Sequence, residues 1–312
     1  MDIVKAKSVK RNYYLGLIIS ALVYVILTFT APILSNSYNL SNTSTRLLQL
    51  AFVLPVLLIW ILAVYGAANF KYYSSLIQDS ADGKALDKVS NGLVVLVAGS
   101  IVQSLFATLR TRMITSGHAI GFTYLNIALT IVLPIAAFYM IYLGASGLVR
   151  LARQEGITPQ SYLFPIVAFT ALSSTYTWAV LNNPYRNATP DIIKYTSYFM
   201  PDILIILLVV TPIVATWLFG ILAVTSIKNY QHSAKGSLYR QALAKLANGL
   251  LAVVVFSILI QFLGALGPSL NLSSASLKFI IILIYVILIL YAVGYGFIAS
   301  GAKRLAKIEE VK

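Results

Sequence analysis

Residues 53–71 read VLPVLLIWILAVYGAANFK, and residues 210–228 read VTPIVATWLFGILAVTSIK. Both stretches are predominantly apolar, and each has nearly the length that a helix needs to cross the hydrocarbon layer of a bilayer. The same proline, tryptophan and lysine recur in them at a spacing of 157 residues. Together the two stretches indicate a membrane protein that contains an internal duplication.

The duplication extends beyond these two stretches. Residues 53–109 align with residues 210–266 without a gap, and 16 of the 57 positions are identical. The identities include residue types that apolar composition alone would not align, namely Pro55 with Pro212, Trp60 with Trp217, Lys71 with Lys228, Tyr73 with Tyr230, Lys88 with Lys245, and Asn91-Gly92 with Asn248-Gly249. A second block, residues 145–155, repeats as residues 299–309 at a shift of 154. The sequence therefore predicts two four-helix repeats, residues 1–156 and residues 157–312.

Composition places the whole chain in a membrane. Of its 312 residues, 59% are hydrophobic and 10% are charged, whereas a soluble domain carries about 25% charged residues. Eight apolar segments are long enough to span a bilayer: Tyr14–Leu34, Leu47–Phe70, Val89–Leu109, Phe122–Val149, Tyr162–Leu181, Ile203–Ile227, Leu246–Leu266 and Phe279–Ala302. Continuous apolar runs exclude barrel strands, which alternate. We predict an all-α, polytopic membrane helix bundle with eight transmembrane helices.

The basic residues predict the orientation of this bundle. The net charge is +14, and lysine and arginine cluster at the ends of the apolar segments. One side of the predicted topology carries 17 of them and the other side six, so the first side is cytoplasmic and holds both termini. Because four spans return the chain to its starting side, the two repeats are predicted to be parallel, with the same orientation. The lipid bilayer, and not nucleic acid, is the predicted partner of this charge.

Several classes of chemistry are excluded. The chain has no cysteine, and its two histidines, His118 and His232, fall on opposite predicted faces. No charged residue or histidine lies in the middle of a predicted span, which argues against proton coupling because such coupling needs ionisable groups in the membrane. Phosphate-binding loops, dinucleotide fingerprints and hydrolase motifs are absent as well. We predict no enzymatic activity, no cofactor and no metal site.

The first functional hypothesis is an uncoupled transporter or channel-like protein for a small neutral or amphiphilic solute. Transporters built from parallel repeats place their pathway between the repeats. The predicted pathway-lining residues are Pro55, Trp60, Gln103, Ser173, Ser174, Thr175, Tyr176, Thr177, Pro212, Trp217 and Gln261. Each also has a purely structural interpretation: the prolines kink helices, the tryptophans fill the core, the amides bond between helices, and the hydroxyls bond to their own backbone.

The alternative is a non-catalytic membrane scaffold or sensor that binds anionic lipid or a cytosolic protein partner through its basic cytoplasmic face. The predicted contact residues are Lys71, Lys88, Asn91, Arg150, Arg153, Lys228, Lys245, Asn248, Arg304 and Lys307. Asn91 and Asn248 are predicted to cap the third and seventh helices, with a lysine three residues before each, which is an arrangement that binds anions at helix starts. The same residues also have a structural interpretation, in which the asparagines only cap helices and the basic residues only set the membrane topology.

Overall fold

The computed structural model describes residues 3–30, 42–115, 119–154, 163–181, 206–233, 236–266 and 274–310. Within these ranges the chain forms eight α-helices and no strand. The helices are α1 (Ile3–Thr30), α2 (Asn42–Leu76), α3 (Ala81–Thr115), α4 (Ala119–Gln154), α5 (Leu163–Leu181), α6 (Thr211–Ser233), α7 (Ser237–Leu266) and α8 (Ser274–Glu310). A π-helical turn, Ile206–Val210, runs directly into α6.

Seven of these eight helices are long and apolar enough to cross a membrane. The exception is α5, whose apolar part, Pro165–Leu181, is shorter. The predicted segment ends Leu34, Tyr162 and Ile203 lie outside the described residues. The all-helical fold and its several apolar helices are those expected of a multi-pass integral membrane protein, in agreement with the sequence.

The helices extend past the apolar segments that predicted them. α3 begins at Ala81, whereas the apolar segment begins at Val89. The hydroxyl of Ser80 accepts a hydrogen bond from the backbone N–H of Gly83 at 2.9 Å, and it thereby caps donors that the first turn leaves without a helical partner. The cap allows α3 to start in polar sequence.

The prediction that Asn91 and Asn248 cap helices is wrong. Asn91 lies well inside α3, and Asn248 lies well inside α7, which begins at Ser237. Directly before α7, Gly236 adopts a φ of 94°, a left-handed conformation that glycine reaches without steric cost. Serine and glycine in the two turns, and not the asparagines, therefore mark where these helices begin.

Pro55 and Pro212 differ in their helical context, although the sequence predicts an interior kink at both. Pro55 lies inside α2. Pro212 is the second residue of α6 and comes two residues after the end of the π-helical turn, so helical backbone lies on both sides of it. The departure from regular α-helix therefore lies beside Pro212, as is usual where a proline or a π-helical turn interrupts a helix.

The helices pack in a ring of neighbours. In order around the ring, α2, α3, α4, α6, α7 and α8 each pack against the next, and α8 packs against α2. α1 lies against α2 and α3, and α5 lies against α6 and α7. α2 is the most enclosed of the seven long apolar helices and α1 the least.

Glycine sets the closest approach of α3 to α4. A Cβ atom on Gly92 would lie 2.7 Å from the carbonyl oxygen of Ala137, and a Cβ atom on Gly144 would lie 2.5 Å from the carbonyl oxygen of Ala85. Both distances are shorter than real side chains allow, so these two backbones meet only because the side chains are absent. Close backbone approach at small residues is the usual way in which membrane helices pack.

The contact between α7 and α8 has the same form. A Cβ atom on Gly249 would lie 2.7 Å from the carbonyl oxygen of Gly294, and one on Gly301 would lie 2.8 Å from that of Ala242. Each of these four residues stands 157 positions after its counterpart in the contact between α3 and α4.

One end of the bundle brings together polar residues from several of the described helix ends. Lys10 near the start of α1 bonds to Asn69 near the end of α2, and Leu76 at the end of α2 shares a cavity with Ser237 at the start of α7. The glycine contacts place the starts of α3 and α7 beside the ends of α4 and α8. We call this end the basic end; the sequence predicts that it is cytoplasmic.

Candidate functional site

An apolar cavity of about 680 Å³ lies along the seam between α2 and α8. It opens sideways, at a surface where Leu54 is 62% exposed and Ile289 is 52% exposed. The lining is mostly aliphatic and comprises Leu54, Pro55, Leu58, Leu62, Tyr285, Ile289, Ala292, Val293, Gly296, Phe297, Ser300 and one residue of α7, Lys245. We call this cavity the α2/α8 groove.

Polar groups stand at the two ends of the groove. At the basic end, the Nζ of Lys245 donates a hydrogen bond of 2.8 Å to the Oγ of Ser300, and both residues are half-buried. Tyr285 lies at the other end. The lining formed by the described residues includes one cation and no carboxylate, so the groove is positively charged at one end and apolar along its walls.

The groove is long compared with a lipid leaflet. Tyr285 and Ser300 are 15 residues apart on the same helix, α8, which corresponds to about 22 Å along the helix axis. The hydrocarbon layer of a bilayer is about 30 Å thick, or roughly 15 Å per leaflet. The groove is thus longer than one leaflet is thick.

The groove is open because two of its positions carry small or slender side chains. A Cβ atom on Gly296 would meet nothing closer than the Cδ1 of Leu62, at 4.0 Å. The positions 157 residues away from these two are Tyr139 on α4 and Phe219 on α6, and their rings lie 5.1 Å apart in an edge-to-face contact. The seam between α4 and α6 thus holds two aromatic rings in contact, whereas the space in front of Gly296 is open.

A neutralised polar network lies elsewhere at the basic end, between α2 and α3. The Nζ of Lys71 lies 2.8 Å from the Oδ1 of Asp87 and 2.6 Å from the Oδ1 of Asn91. The side-chain amide of Asn91 donates to the Oδ2 of Asp87 at 3.1 Å, and Ser74 donates to the backbone carbonyl of Lys71. Since Asp87 compensates its charge, Lys71 is a poor site for a further anion.

α1 is held to α2 by a second polar contact. The Nζ of Lys10 donates to the Oδ1 of Asn69 at 2.7 Å and lies 5.5 Å from the centre of the Tyr72 ring. Asn69 is buried, and its amide donates in turn to the backbone carbonyl of Tyr65. These contacts join the start of α1 to the end of α2.

The predicted anion-contact residues fall into different environments. Lys88, Arg150, Arg153, Asn248 and Lys307 are exposed, as is Arg304, which donates to Gln241 at 2.9 Å. Lys228 is half-buried, whereas Lys71 and Asn91 are bound to Asp87. Of the ten predicted residues, Lys245 is the one that lines the α2/α8 groove.

The two predicted tryptophans belong to the same buried core but pack against different helices. Trp60 is 1% exposed, and its ring centre is 5.0 Å from that of Tyr24 on α1. Trp217 is also 1% exposed and packs on Tyr176 of α5 at 5.0 Å and on Phe262 of α7 at 5.7 Å. Neither tryptophan lines the α2/α8 groove, and the structure does not bring them together.

The remaining predicted pathway residues are likewise dispersed. Pro55 lines the α2/α8 groove, while Pro212 is half-buried at the start of α6. Gln103 donates to the backbone carbonyl of Leu129 on α4 at 3.4 Å, an interhelical bond of the kind that the sequence suggests. Gln261 is half-buried on α7.

The hydroxyl block of α5 is divided between two environments. Ser173, Thr175 and Thr177 each donate to a backbone carbonyl three or four residues earlier in their own helix. Ser173, Ser174 and Thr177 also line a cavity of about 540 Å³ between α5 and the start of α6. Tyr176 instead turns into the core against Trp217.

The residues that shape the α2/α8 groove were mostly missed by the sequence analysis. Tyr285, Gly296 and Ser300 carry no motif, and the 154-residue shift pairs Ser300 with Ser146. The sequence does contain a signal for the groove: at a shift of 157 residues, Gly296 aligns with Tyr139 and Leu62 aligns with Phe219. The ion pair between Lys71 and Asp87 was also missed, although a tight turn between two predicted helices brings opposite charges together there.

Comparison with known proteins gives no relative of this chain. No family model matches the sequence, and no curated protein or solved structure matches it either.

Proposed function

We propose that this chain is a non-enzymatic membrane protein made of two like-oriented four-helix halves, and that an amphiphilic solute moves along a seam between the halves. The halves are residues 1–156 and residues 157–312. The α2/α8 groove carries the proposal, because it lies between a helix of one half and a helix of the other and opens to the side.

Recurring contacts support the two halves. A Cβ atom on Gly92 would lie 2.7 Å from the carbonyl oxygen of Ala137, and a Cβ atom on Gly249 would lie 2.7 Å from that of Gly294. The pairs of neighbouring helices recur as well. The contact of α2 with α3 corresponds to that of α6 with α7, and the contact of α3 with α4 corresponds to that of α7 with α8. The contact of α4 with α6 corresponds to that of α8 with α2. A shift of 157 residues relates every one of these pairs, as a parallel duplication requires.

The position of the α2/α8 groove supports movement at the lipid boundary. Trp60 and Trp217 fill the buried core beside α1 and beside α5, while the groove is bordered by exposed aliphatic side chains of α2 and α8. A side-opening groove longer than one leaflet lets a hydrocarbon chain stay in contact with lipid while its polar head passes along the protein. An amphiphile suits this geometry better than a small hydrated solute does.

Exposed cations support the second candidate function, in which the basic end holds anionic lipid as a scaffold. Arg150 and Arg153 lie exposed near the end of α4, and Lys303, Arg304 and Lys307 lie exposed near the end of α8. Each such residue near an anionic surface contributes about 1 kcal/mol of attraction. This function requires no open groove, and the experiment below therefore separates it from transport.

Transfer across sealed vesicles tests the proposal. The probe is a single-chain amphiphile with a fluorescent label that an impermeant reductant, added outside, destroys. We expect faster loss of the inner-leaflet signal with the protein than in protein-free vesicles, and a return to the protein-free rate in Gly296→Tyr, since the ring fills the groove. Leu22→Tyr is the matched control, because Leu22 is 58% exposed on α1, a helix that does not line the groove. Equal rates with and without wild-type protein would reject transport.

A further inference from the structure

The charge of Lys245 is not compensated within the described part of the bundle. Its hydrogen-bond partner there is the hydroxyl of Ser300, a neutral group, at 2.8 Å. Lys71, by contrast, has the carboxylate of Asp87 at the same distance. A half-buried ammonium beside hydrocarbon is stabilised by an anion, and the groove has room for one that carries a chain.

The number of charges in the groove indicates the type of occupant. The described lining supplies one ammonium group, one neighbouring hydroxyl donor and otherwise apolar or aromatic walls. A ligand that matches it has one negative charge on its head and one hydrocarbon tail. The volume of about 680 Å³ falls within the usual range of about 300–1,000 Å³ for small-ligand sites.

We propose that the α2/α8 groove binds a single-chain amphiphile with one carboxylate head. The carboxylate accepts hydrogen bonds from Lys245 and Ser300 at the basic end, and the chain lies between α2 and α8 toward Tyr285. This inference rests on the proposed function in that it concerns the same groove, but it concerns binding and head-group charge rather than movement.

The seam between α2 and α8 has an open groove, whereas the seam between α4 and α6 holds two aromatic rings in contact. Lys88 stands 157 residues before Lys245 and is exposed, but in the seam between α4 and α6 the rings of Tyr139 and Phe219 lie 5.1 Å apart. Lys88 therefore has a comparable charge without a groove, while Lys245 has both. The chain offers its own control for the contribution of charge alone.

Photo-crosslinking in vesicles of zwitterionic lipid tests the site. The probe is a fatty carboxylate with a photoactivatable group near its methyl end, and the adducts are mapped by mass spectrometry. Because the reactive group is at the tail, we expect adducts at the Tyr285 end of the groove, on residues 54–58 of α2 and residues 285–289 of α8. Unlabelled carboxylate competes, whereas the alcohol and the primary amine of the same chain compete at least about tenfold less well, as expected when a charge-assisted hydrogen bond is lost.

Variants separate the site from general lipid contact. Lys245→Gln lowers the affinity for the carboxylate about tenfold or more, Lys245→Arg retains binding, and Lys88→Gln leaves it unchanged. Gly296→Tyr abolishes the adducts. Adducts that persist unchanged in Gly296→Tyr indicate ordinary boundary lipid and overturn the site, as does competition by a diacyl anionic phospholipid in preference to the single-chain carboxylate.

The site and the transport proposal fail in different ways. If wild-type protein gives the expected adducts but moves no amphiphile between leaflets, transport is rejected and the binding site is supported. If carboxylate, alcohol and amine all move at the same rate and Lys245→Gln changes nothing, transport is supported and the preference for a carboxylate is overturned.

Discussion

Replacing Gly92 with alanine probes the closest helix contact in the bundle. The new Cβ atom would lie 2.7 Å from the carbonyl oxygen of Ala137 and 2.8 Å from the backbone nitrogen of Ile141. Ordinary contact begins at 3.4 Å, so α3 and α4 must separate by several tenths of an ångström along this line. Backbone atoms cannot rotate away as a side chain can, and the cost therefore falls on the whole interface.

We expect Gly92→Ala to lower the free energy of unfolding by about 1–3 kcal/mol, the usual cost of overpacking. The estimate includes dispersion lost along α3 and α4, because a gap of 0.5–1 Å removes roughly a quarter to a half of each contact's attraction. Gly249→Ala should cost a similar amount, because its Cβ atom meets the carbonyl oxygen of Gly294 at the same 2.7 Å.

Denaturation in detergent micelles, followed by circular dichroism, measures both variants. Gly16→Ala is the control: its Cβ atom meets nothing within 4 Å, so we expect no loss and a gain of up to about 1 kcal/mol from helix propensity. If Gly92→Ala is as stable as Gly16→Ala, the close approach of α3 to α4 is refuted. If only one of Gly92→Ala and Gly249→Ala is destabilising, the matching of the two interfaces is refuted.

Three further predictions follow from other contacts. Asp87→Asn should destabilise the bundle by about 1 kcal/mol in the same denaturation assay, and the cost is modest because the side chains of Lys71 and Asp87 remain 24% and 31% exposed. An equal loss when Asp87→Asn is made in the Lys71→Met variant would show that the ion pair contributes nothing. Trp217→Ala should lower the free energy of unfolding by about 3–5 kcal/mol because it empties a buried volume. Trp178 is 64% exposed, and Trp178→Ala should change that free energy by about 0.5 kcal/mol or less. Similar losses in both variants would contradict the placement of Trp217 in the core. The double variant Tyr139→Gly/Phe219→Leu should open the seam between α4 and α6 beside Lys88 and produce fatty-carboxylate adducts on those helices, and unchanged labelling would contradict the role of the two rings as a plug.

The sequence predicts the helical membrane class well, for a simple physical reason. A segment that crosses hydrocarbon must be apolar and must satisfy its own backbone, so length and composition determine that it is a helix. Helix ends are harder to predict, because they depend on local caps. Ser80 extends α3 to Ala81, well before the apolar segment starts at Val89.

The candidate site could be predicted only in part. The repeat predicts Lys245 and Pro55 as site residues. The open space, however, exists because Gly296 has no side chain, and a missing side chain forms no sequence motif. The register of the last helix was also ambiguous. The sequence block pairs Gly147 with Gly301, while the contacts of Gly301 with Ala242 match those of Gly144 with Ala85. Backbone proximity decides this register, and residue identity alone does not.

The like orientation of the two halves is the claim on which the seam depends, and side-specific labelling tests it most directly. The chain has no cysteine, so single cysteines can be placed at Gln78, after α2, and at Ser237, at the start of α7, both exposed at the basic end. In sealed vesicles of uniform orientation, an impermeant maleimide added from outside should either label both variants or leave both unlabelled until the membrane is opened. Labelling of one variant and protection of the other would place the two turns on opposite faces and contradict the parallel arrangement.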